Sequence, residues 1–226
     1  MEFSLYYLHV NMQNFIHIHI IVFCWAYLSL LGCQSPSSSS TLNTAKRPII
    51  NLDKTRIKAK EALTFCKQNR FNEDFCILID MSLHSGVNRF MVWNFKHDTI
   101  TFQCLVGHGC CKEAWSNDNS KTNPTFSNVD GSHCSSLGKY KIGERAYSDW
   151  GVHIKYVLHG LEASNSNARN RFIVFHSWDV VADEEIFPNG TPEGWGCPTI
   201  SNKSFKHIDP VLQASRKPVL MWIYND

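Results

Sequence analysis

The chain has 226 residues, of which 43% are hydrophobic and 12% aromatic, so it carries enough apolar material for an ordinary core. Its formal net charge is only +2. That balance excludes the strongly basic surface typical of nucleic-acid-binding proteins, and no nucleic-acid partner is expected. Residues 48–226, which follow the N-terminal segments, have a length that suits a single domain.

The N-terminal 33 residues are predicted to be a signal peptide. Residues 15–31 are almost wholly apolar, and residues 30–33 resemble a bacterial lipobox, in which Cys33 becomes the lipidated N-terminus after cleavage. An uncleaved membrane anchor is the alternative, because the apolar stretch is close to the shortest helix that spans a bilayer. The serine-rich segment 34–47 is predicted to be a tether, and 48–226 to be the globular domain. This organisation favours an exported lipoprotein, anchored to a membrane in the cell envelope or periplasm of a Gram-negative-type bacterium.

The first half of the domain shows one helical pattern and three strand patterns. Leu52–Asn69 is predicted to be an amphipathic helix, with Lys and Glu opposite its apolar side. Phe75–Asp80 is an apolar run, and residues 89–95 and 99–106 alternate like the two strands of a hairpin. Residues 107–136 have no apolar period and are rich in Ser, Asn, Cys and Gly. A loop of this length in a compact domain is usually functional or a lid.

The second half predicts further strands and one helix. The strands are at 138–143, 152–158, 172–176 and 218–224. The helix is Asn202–Ala214, with Ser201 or Asn202 as N-cap and with Pro210 expected to limit or kink it. Many short strands with few helices predict a mostly β (β-rich α+β) domain. Its expected form is a sandwich or part-closed barrel with an N-terminal helix and a C-terminal helix and strand.

Nine cysteines are many for a chain of this size. Cys24 and Cys33 fall in the N-terminal segment, and Cys197 is set apart as a candidate for a catalytic role. The remaining six are Cys66, Cys76, Cys104, Cys110, Cys111 and Cys134. An exported chain meets an oxidising compartment, so some of these cysteines are expected to pair, although sequence does not fix the connectivity. Because adjacent cysteines rarely bond to each other, a bridge from Cys110 or Cys111 to Cys134 is preferred.

Cys197 is the best candidate for a nucleophile. It lies in a turn between Gly196 and Pro198, outside any apolar period, and the strand at 172–176 ends in His176. A thiol is mostly protonated at neutral pH, and an imidazole that meets it in space can take its proton and later return it to a leaving group. The backbone N–H groups of Gly196 and Cys197 are candidate donors to an oxyanion.

The motifs around these two residues resemble the murein L,D-transpeptidase catalytic domain family (YkuD-like). They fit the branch of that family whose nucleophile lies in a Trp-Gly-Cys-Pro motif, here residues 195–198, preceded by His176-Ser177. Other matching segments, in chain order, are Val106-Gly107-His108-Gly109, Phe126-Ser127-Asn128, Gly131-Ser132, Ser135-Ser136-Leu137-Gly138 and His159-Gly160-Leu161-Glu162, followed by Asn165, Asn167, Ala168 and Arg169. The resemblance runs from about residue 75 to residue 224.

This chain departs from the commoner form of the family at two positions. The commoner motif is Ser-His-Gly-Cys followed one residue later by Arg, whereas here Trp195 stands in place of that His. Pro198 and Thr199 follow the cysteine, and no Arg is close behind it in sequence. The roles of that His and Arg must therefore be met by other groups.

The resemblance implies a β-rich domain with the cysteine in a cleft, acting on peptidoglycan stem peptides. Cys197 would form a thioester with the acyl donor, and His176 would act as base and then as acid. Trp195 and Ser177 are candidate supporting residues. His108, His133, Ser135 and Ser136 are candidate cleft residues. No cofactor is expected.

Three other interpretations remain open at this point. The same acyl-enzyme would serve an L,D-carboxypeptidase or endopeptidase if water accepts the acyl group. A non-catalytic lipoprotein that only binds peptidoglycan is a second possibility, kept open by the two departures. A zinc site built from His108, Cys110, Cys111, His133 and Cys134 is disfavoured, because the spacing is irregular and adjacent cysteines are awkward ligands for one metal. No metal is predicted.

Overall fold

The computed structural model describes residues 46–112 and 124–226. The predicted signal peptide, the predicted lipidation site Cys33 and nearly all of the predicted tether lie outside these residues. Within the described ranges, no helix is both long enough and apolar enough to cross a bilayer. Residues 113–123 of the predicted loop also lie outside them.

Ten elements of regular structure, besides a single 3₁₀ turn at Ala163–Asn165, make up the described fold. In chain order they are α1 Leu52–Asn69, β1 Phe75–Asp80, β2 Phe90–Asn94, β3 Thr99–Cys104, β4 Gly138–Tyr147, β5 Ile154–Gly160, β6 Val174–Ser177, β7 Thr199–Ile200, α2 Asn202–Ala214 and β8 Val219–Tyr224. The predicted order of elements is confirmed. Strand β7, only two residues long, was not predicted because so short a pair carries no periodicity.

The eight strands form one sheet in the order β3-β2-β1-β8-β4-β5-β6-β7. The pairs β1–β8 and β6–β7 are parallel, and the other pairs are antiparallel. The chain that follows β3 reaches the far end of the sheet, where the Gly107 N–H donates to the Thr199 carbonyl oxygen at 2.8 Å. This contact nearly closes the sheet into a barrel. The mostly β class, with an N-terminal helix and a C-terminal helix and strand, is therefore confirmed.

The two helices cover opposite faces of the sheet. On α1, Ala59, Ala62 and Cys66 are buried against residues such as Leu78 on one face of the sheet. Alternate residues of the same strands, such as Ile77 in β1, point into the larger core, which α2 covers. The period-2 alternation of these strands thus divides their side chains between two apolar layers.

Helix α1 begins and ends where its terminal residues satisfy backbone groups. The Asn51 side chain accepts hydrogen bonds from the N–H groups of Asp53 and Lys54 at 3.1 Å each. At the other end, Arg70 adopts a left-handed conformation, and its N–H donates to the Cys66 carbonyl oxygen. Both caps are common means of pairing the backbone groups that a helix end leaves open.

Helix α2 runs over its whole predicted span, so Pro210 does not end it. Ser201 is the N-cap, and its hydroxyl accepts from the Ser204 N–H. A proline inside a helix removes one hydrogen bond and costs about 3 kcal/mol. The apolar side of α2 offsets this cost, because Phe205, Ile208 and Leu212 are buried in the core and each contributes roughly 2 kcal/mol.

Candidate functional site

The pairing of β6 with β7 brings His176 and Cys197 to one cavity. In this parallel pair His176 lies opposite Thr199, and Cys197 is two residues before Thr199. The cavity beside them has a volume of about 210 Å³. Its lining residues are Trp150, His176, Trp178, Gly194, Trp195, Cys197 and Thr199. The two residues that the sequence singled out as base and nucleophile thus line the same cavity.

His176 is held in one tautomer by its own strand. Its Nδ1 lies 2.9 Å from the Ser177 carbonyl oxygen. Because a carbonyl can only accept, Nδ1 carries the proton and Nε2 keeps its lone pair. The sequence left the orienting acceptor unidentified, and the structure shows that it is the Ser177 backbone. Burial of the ring lowers the pKa of His176 below its ordinary value, so the neutral form is favoured.

The Ser177 hydroxyl has a different task from the Ser177 carbonyl. It accepts a hydrogen bond from the Val152 N–H at 2.9 Å. This bond ties the turn before β5 to the end of β6, and the hydroxyl supports the site in that way. Within the described residues, no hydrogen bond joins this hydroxyl to the His176 ring.

The Cys197 thiol lies against the start of β6. Its Sγ accepts a hydrogen bond from the Val174 N–H at 3.4 Å. Burial raises the pKa of the thiol, while that N–H group and the charges of Arg171 and Lys155 oppose the increase. A raised thiol pKa beside a lowered imidazole pKa means that the resting pair is neutral.

The turn before Cys197 depends on a glycine. Gly196 has φ of +98°, and a Cβ placed there would lie 2.5 Å from the Cys134 carbonyl oxygen. Both the backbone conformation and the space therefore exclude a side chain at Gly196. Trp195, by contrast, is 62% exposed. Its ring lines the cavity and stacks on His133 with centroids 4.8 Å apart. His133, predicted as a cleft residue, thus contacts Trp195 but is not among the residues that line the cavity.

The segment after β3 holds this turn from behind. The Gly194 N–H donates to the His108 carbonyl oxygen and the Cys110 N–H donates to the Gly194 carbonyl oxygen, both at 2.8 Å. The Ser135 hydroxyl accepts from the Gly109 N–H at 3.0 Å and donates to the Gly196 carbonyl oxygen at 3.4 Å. Ser135, predicted as a cleft residue, is a buried link between two loops.

His108, also predicted as a cleft residue, is fully buried behind the turn and does not line the cavity. Its Nδ1 lies 2.8 Å from the Arg89 guanidinium. Arg89 is buried too, and it donates to the carbonyl oxygens of Leu83 and Val106. Together the two side chains anchor the segment whose backbone supports Gly194.

Arg171 is a site residue that the sequence analysis missed. Its guanidinium donates to the carbonyl oxygens of Cys134 at 2.6 Å and Ser127 at 2.8 Å. It also lies 3.3 Å from the hydroxyls of Ser132 and Ser136. A Cβ added at Gly196 would meet this guanidinium at 3.3 Å. A cation therefore lies beside Cys197 although no Arg follows that residue closely in sequence.

Ser136 joins this cluster to the core. Its hydroxyl lies 2.7 Å from the Tyr140 hydroxyl, which donates to the Ser136 carbonyl oxygen at 2.7 Å. Tyr140 is fully buried, so Ser136 and Tyr140 position Arg171 from below. In sequence, Arg171 is recognisable only as an arginine three residues before the strand that carries His176. That position does not reveal which loops its side chain ties together.

A disulfide joins Cys111 to Cys134, which confirms the preferred pairing. With both sulfurs in the bond, neither is a thiolate ligand, and the zinc alternative loses two of its five candidates. Over residues 46–112 and 124–226, no three His, Cys, Asp or Glu side chains are grouped to hold a metal ion.

Comparison with known proteins identifies the family. A family profile of the L,D-transpeptidase catalytic domain matches residues 46–224. No curated protein matches the chain. Among solved structures, it is similar to the helical cell shape determining protein Pgp2 from Campylobacter jejuni, with 13% identity over 67% of this chain and 48% of that one and a TM-score of 0.43.

It is also similar to the L,D-transpeptidase from Xylanimonas cellulosilytica, with 7% identity over 66% of this chain and 60% of that one and a TM-score of 0.39. This chain thus spans about half of the length of Pgp2 and three fifths of the other chain. The profile match, in contrast, covers most of the 226 residues. On that match, the chain belongs to the L,D-transpeptidase catalytic domain family.

Proposed function

We propose that the protein transfers acyl groups between peptidoglycan stem peptides, with Cys197 as nucleophile and His176 as base and acid. It would belong to the branch of the family with a Trp-Gly-Cys-Pro motif. One observation carries the proposal. His176, oriented through its Nδ1 by the Ser177 carbonyl oxygen, lines the same cavity as Cys197. The family membership supplies the substrate class, a stem peptide whose L-to-D bond at diaminopimelate is the acyl donor.

In the first half-reaction the Cys197 sulfur attacks the carbonyl carbon of that bond while His176 Nε2 takes the thiol proton. The C–N bond then breaks, and His176 returns the proton to the departing amine of the terminal D-amino acid. The product is a thioester. In the second half-reaction an amine attacks the thioester and the C–S bond breaks as a new amide bond forms. His176 takes the proton of that amine and passes it to the departing sulfur, which regenerates the Cys197 thiol.

The tetrahedral intermediates need donors for their oxyanion. Within the described ranges, neither Gly196 nor Cys197 uses its N–H in a hydrogen bond to another group. These two donors therefore remain available to a bound substrate. The positive φ of Gly196 gives the turn the conformation in which the two N–H groups are presented.

The proposal includes the location of the enzyme. Cleavage before Cys33 and lipidation of that residue would anchor the domain to a membrane of the envelope, where peptidoglycan is. Support for this part comes from the lipobox-like sequence and the serine-rich tether alone. Labelling with a fatty-acid probe, compared between the wild-type chain and Cys33→Ala, tests it.

The decisive experiment incubates the purified full chain with a disaccharide tetrapeptide, under reducing and non-reducing conditions, and follows products by mass spectrometry. Release of D-alanine with a crosslinked dimer supports a transpeptidase, and release with tripeptide alone indicates a carboxypeptidase. Cys197→Ala should abolish both products. Cys66→Ala, which removes a buried thiol of α1, is the matched control and should retain them. Product formation by Cys197→Ala would disprove the nucleophile assignment, and no product from the wild-type chain would favour a binding lipoprotein.

A further inference from the structure

Three polar side chains lie in one row across the sheet, and two of them, His176 and Thr199, line the cavity that also holds Cys197. Lys155 of β5 is the register partner of His176 in β6, and His176 is the register partner of Thr199 in β7. Register partners point to the same face of a sheet, with Cβ atoms about 5 Å apart. Their neighbours Tyr156 and Phe175 point to the other face, into the core. Lys155 and Thr199 therefore bracket the base.

Lys155 brings an uncompensated charge to this row. It is half-buried, and no ion pair or hydrogen bond with another described residue engages its ammonium group. The charge acts on the reactive pair, since it lowers the pKa of both His176 and Cys197. The Lys155 ammonium group has three hydrogen-bond donors. The neutral thiol and the neutral imidazole near it do not provide an anion for these donors.

Thr199 is a second polar group without a partner. It is 2% exposed, lines the cavity, and its hydroxyl makes no hydrogen bond within the described structure. A buried hydroxyl left without a partner costs free energy, which a ligand in the cavity would recover. A buried hydroxyl without a partner and a half-buried cation, one on each side of His176, point to a polar, anionic part of a ligand at this position.

We propose that Lys155 binds the free α-carboxylate of the amino acid that the enzyme releases. The inference rests on the proposed function, in which His176 protonates the departing amine. In an amino acid the carboxyl carbon is about 2.5 Å from the amine nitrogen. When the departing nitrogen is at His176, the carboxylate of the same amino acid therefore lies close by. Lys155, the register partner of His176, is within reach of it.

This arrangement makes Lys155 a specificity-determining residue. A terminal residue presents a carboxylate to Lys155, whereas an internal residue presents a neutral amide that leaves the ammonium without its anion. The site then favours removal of a C-terminal D-amino acid over cleavage inside a longer peptide. Of the activities considered, this favours L,D-transpeptidase or L,D-carboxypeptidase over L,D-endopeptidase.

The test compares a tetrapeptide stem ending in D-alanine with the same stem ending in D-alaninamide. With the wild-type full chain, kcat/KM for the acid should exceed that for the amide by about tenfold to a hundredfold, as for a charge-assisted hydrogen bond. Lys155→Met should remove this preference, and Lys155→Arg should retain most of it. General electrostatic effects of Lys155 on the thiol or imidazole change both rates together and cancel in the ratio.

Lys141→Met is the matched control. Lys141 is also half-buried, but it belongs to β4, where it is the register partner of His159 and not of His176. This variant should therefore keep the wild-type ratio of acid to amide. A ratio that Lys155→Met leaves unchanged would overturn the inference, as would a wild-type enzyme that treats acid and amide alike.

Binding separates failure of the inference from failure of the proposed function. Calorimetry with Cys197→Ala and with Cys197→Ala combined with Lys155→Met measures Kd for both peptides without turnover. If the wild-type chain releases no D-alanine but the acid still binds more tightly through Lys155, the proposed reaction fails and the carboxylate site stands. If the two peptides bind equally well to Cys197→Ala, the carboxylate site is refuted.

Discussion

Replacing Arg171 by methionine should loosen the loop that carries Cys134 and make the Cys197 thiol harder to ionise. The guanidinium makes two short bonds to backbone carbonyl oxygens, at 2.6 and 2.8 Å, and two longer contacts of 3.3 Å to hydroxyls. Hydrogen bonds to a charged group contribute about 1.5–3 kcal/mol each. Arg171 is half-buried, so the lower value applies. Loss of the two short bonds should therefore reduce the free energy of unfolding by about 3 kcal/mol.

The second effect is electrostatic. Because Arg171 opposes the rise in the pKa of Cys197 that burial causes, its removal should raise that pKa further. The rate of Cys197 alkylation by iodoacetamide, measured against pH by peptide mass spectrometry, reports the thiol pKa. Urea unfolding at neutral pH reports stability. Arg171→Met should shift the alkylation profile to higher pH.

Arg169→Met supplies the comparison, because Arg169 is exposed and contacts only Glu144, at 3.8 Å, among the ion pairs of the described residues. Such a surface pair is worth roughly 0–1 kcal/mol, so this variant should resemble the wild-type chain in both assays. If Arg171→Met leaves the alkylation profile unchanged while lowering stability, Arg171 has only a structural role. If it changes neither, the reasoning from its contacts is wrong.

Changes in pH and in redox state test three other features of the molecule. Since the pKa of His176 is lowered from its ordinary value of 6.5, the base form persists into mild acid, so kcat/KM should fall only below that pH; a fall beginning above it would contradict the assignment. Asp209→Asn should cost about 1–3 kcal/mol at pH 7, because the carboxylate accepts bonds from Arg145 and Tyr156. Arg145 lowers the pKa of Asp209 below its ordinary 3.8, so this stabilisation is complete above that pH and is lost as pH falls further; urea titrations of variant and wild type should converge in acid. Cys111→Ser with Cys134→Ser should lower stability by about 3 kcal/mol, because the bridge spans 23 residues, and dithiothreitol should destabilise the wild-type chain but not the double variant.

Local patterns were sufficient to predict most of the fold. The apolar run of β1 and the amphipathic α1 depend on side chains that repeat within a few positions, and both appear with the predicted bounds. Pro210 shows the limit of such reasoning. Its local cost argues for a helix end, but packing of Phe205 and Leu212 against a distant sheet decides the outcome.

The candidate site could be predicted only where its chemistry lies in one motif. Cys197 in a glycine turn and His176 at a strand end carry their own signal. Arg171 and Lys155 do not, since their importance comes from partners many positions away: the loops at Ser127 and Cys134 for one, and the β5–β6 register for the other. Register depends on how two strands pair, so it cannot be read from the sequence of either strand alone.

The parallel pairing of β6 with β7 also bears on how such an enzyme can diversify. His176 and Cys197 are separated by 20 intervening residues, yet the register pairing of His176 with Thr199 sets their spacing. Asp183 and Glu184 are an exposed part of that connection, so insertions or deletions there should leave the pairing untouched. The connection can therefore vary in length at that point while the spacing between His176 and Cys197 stays fixed.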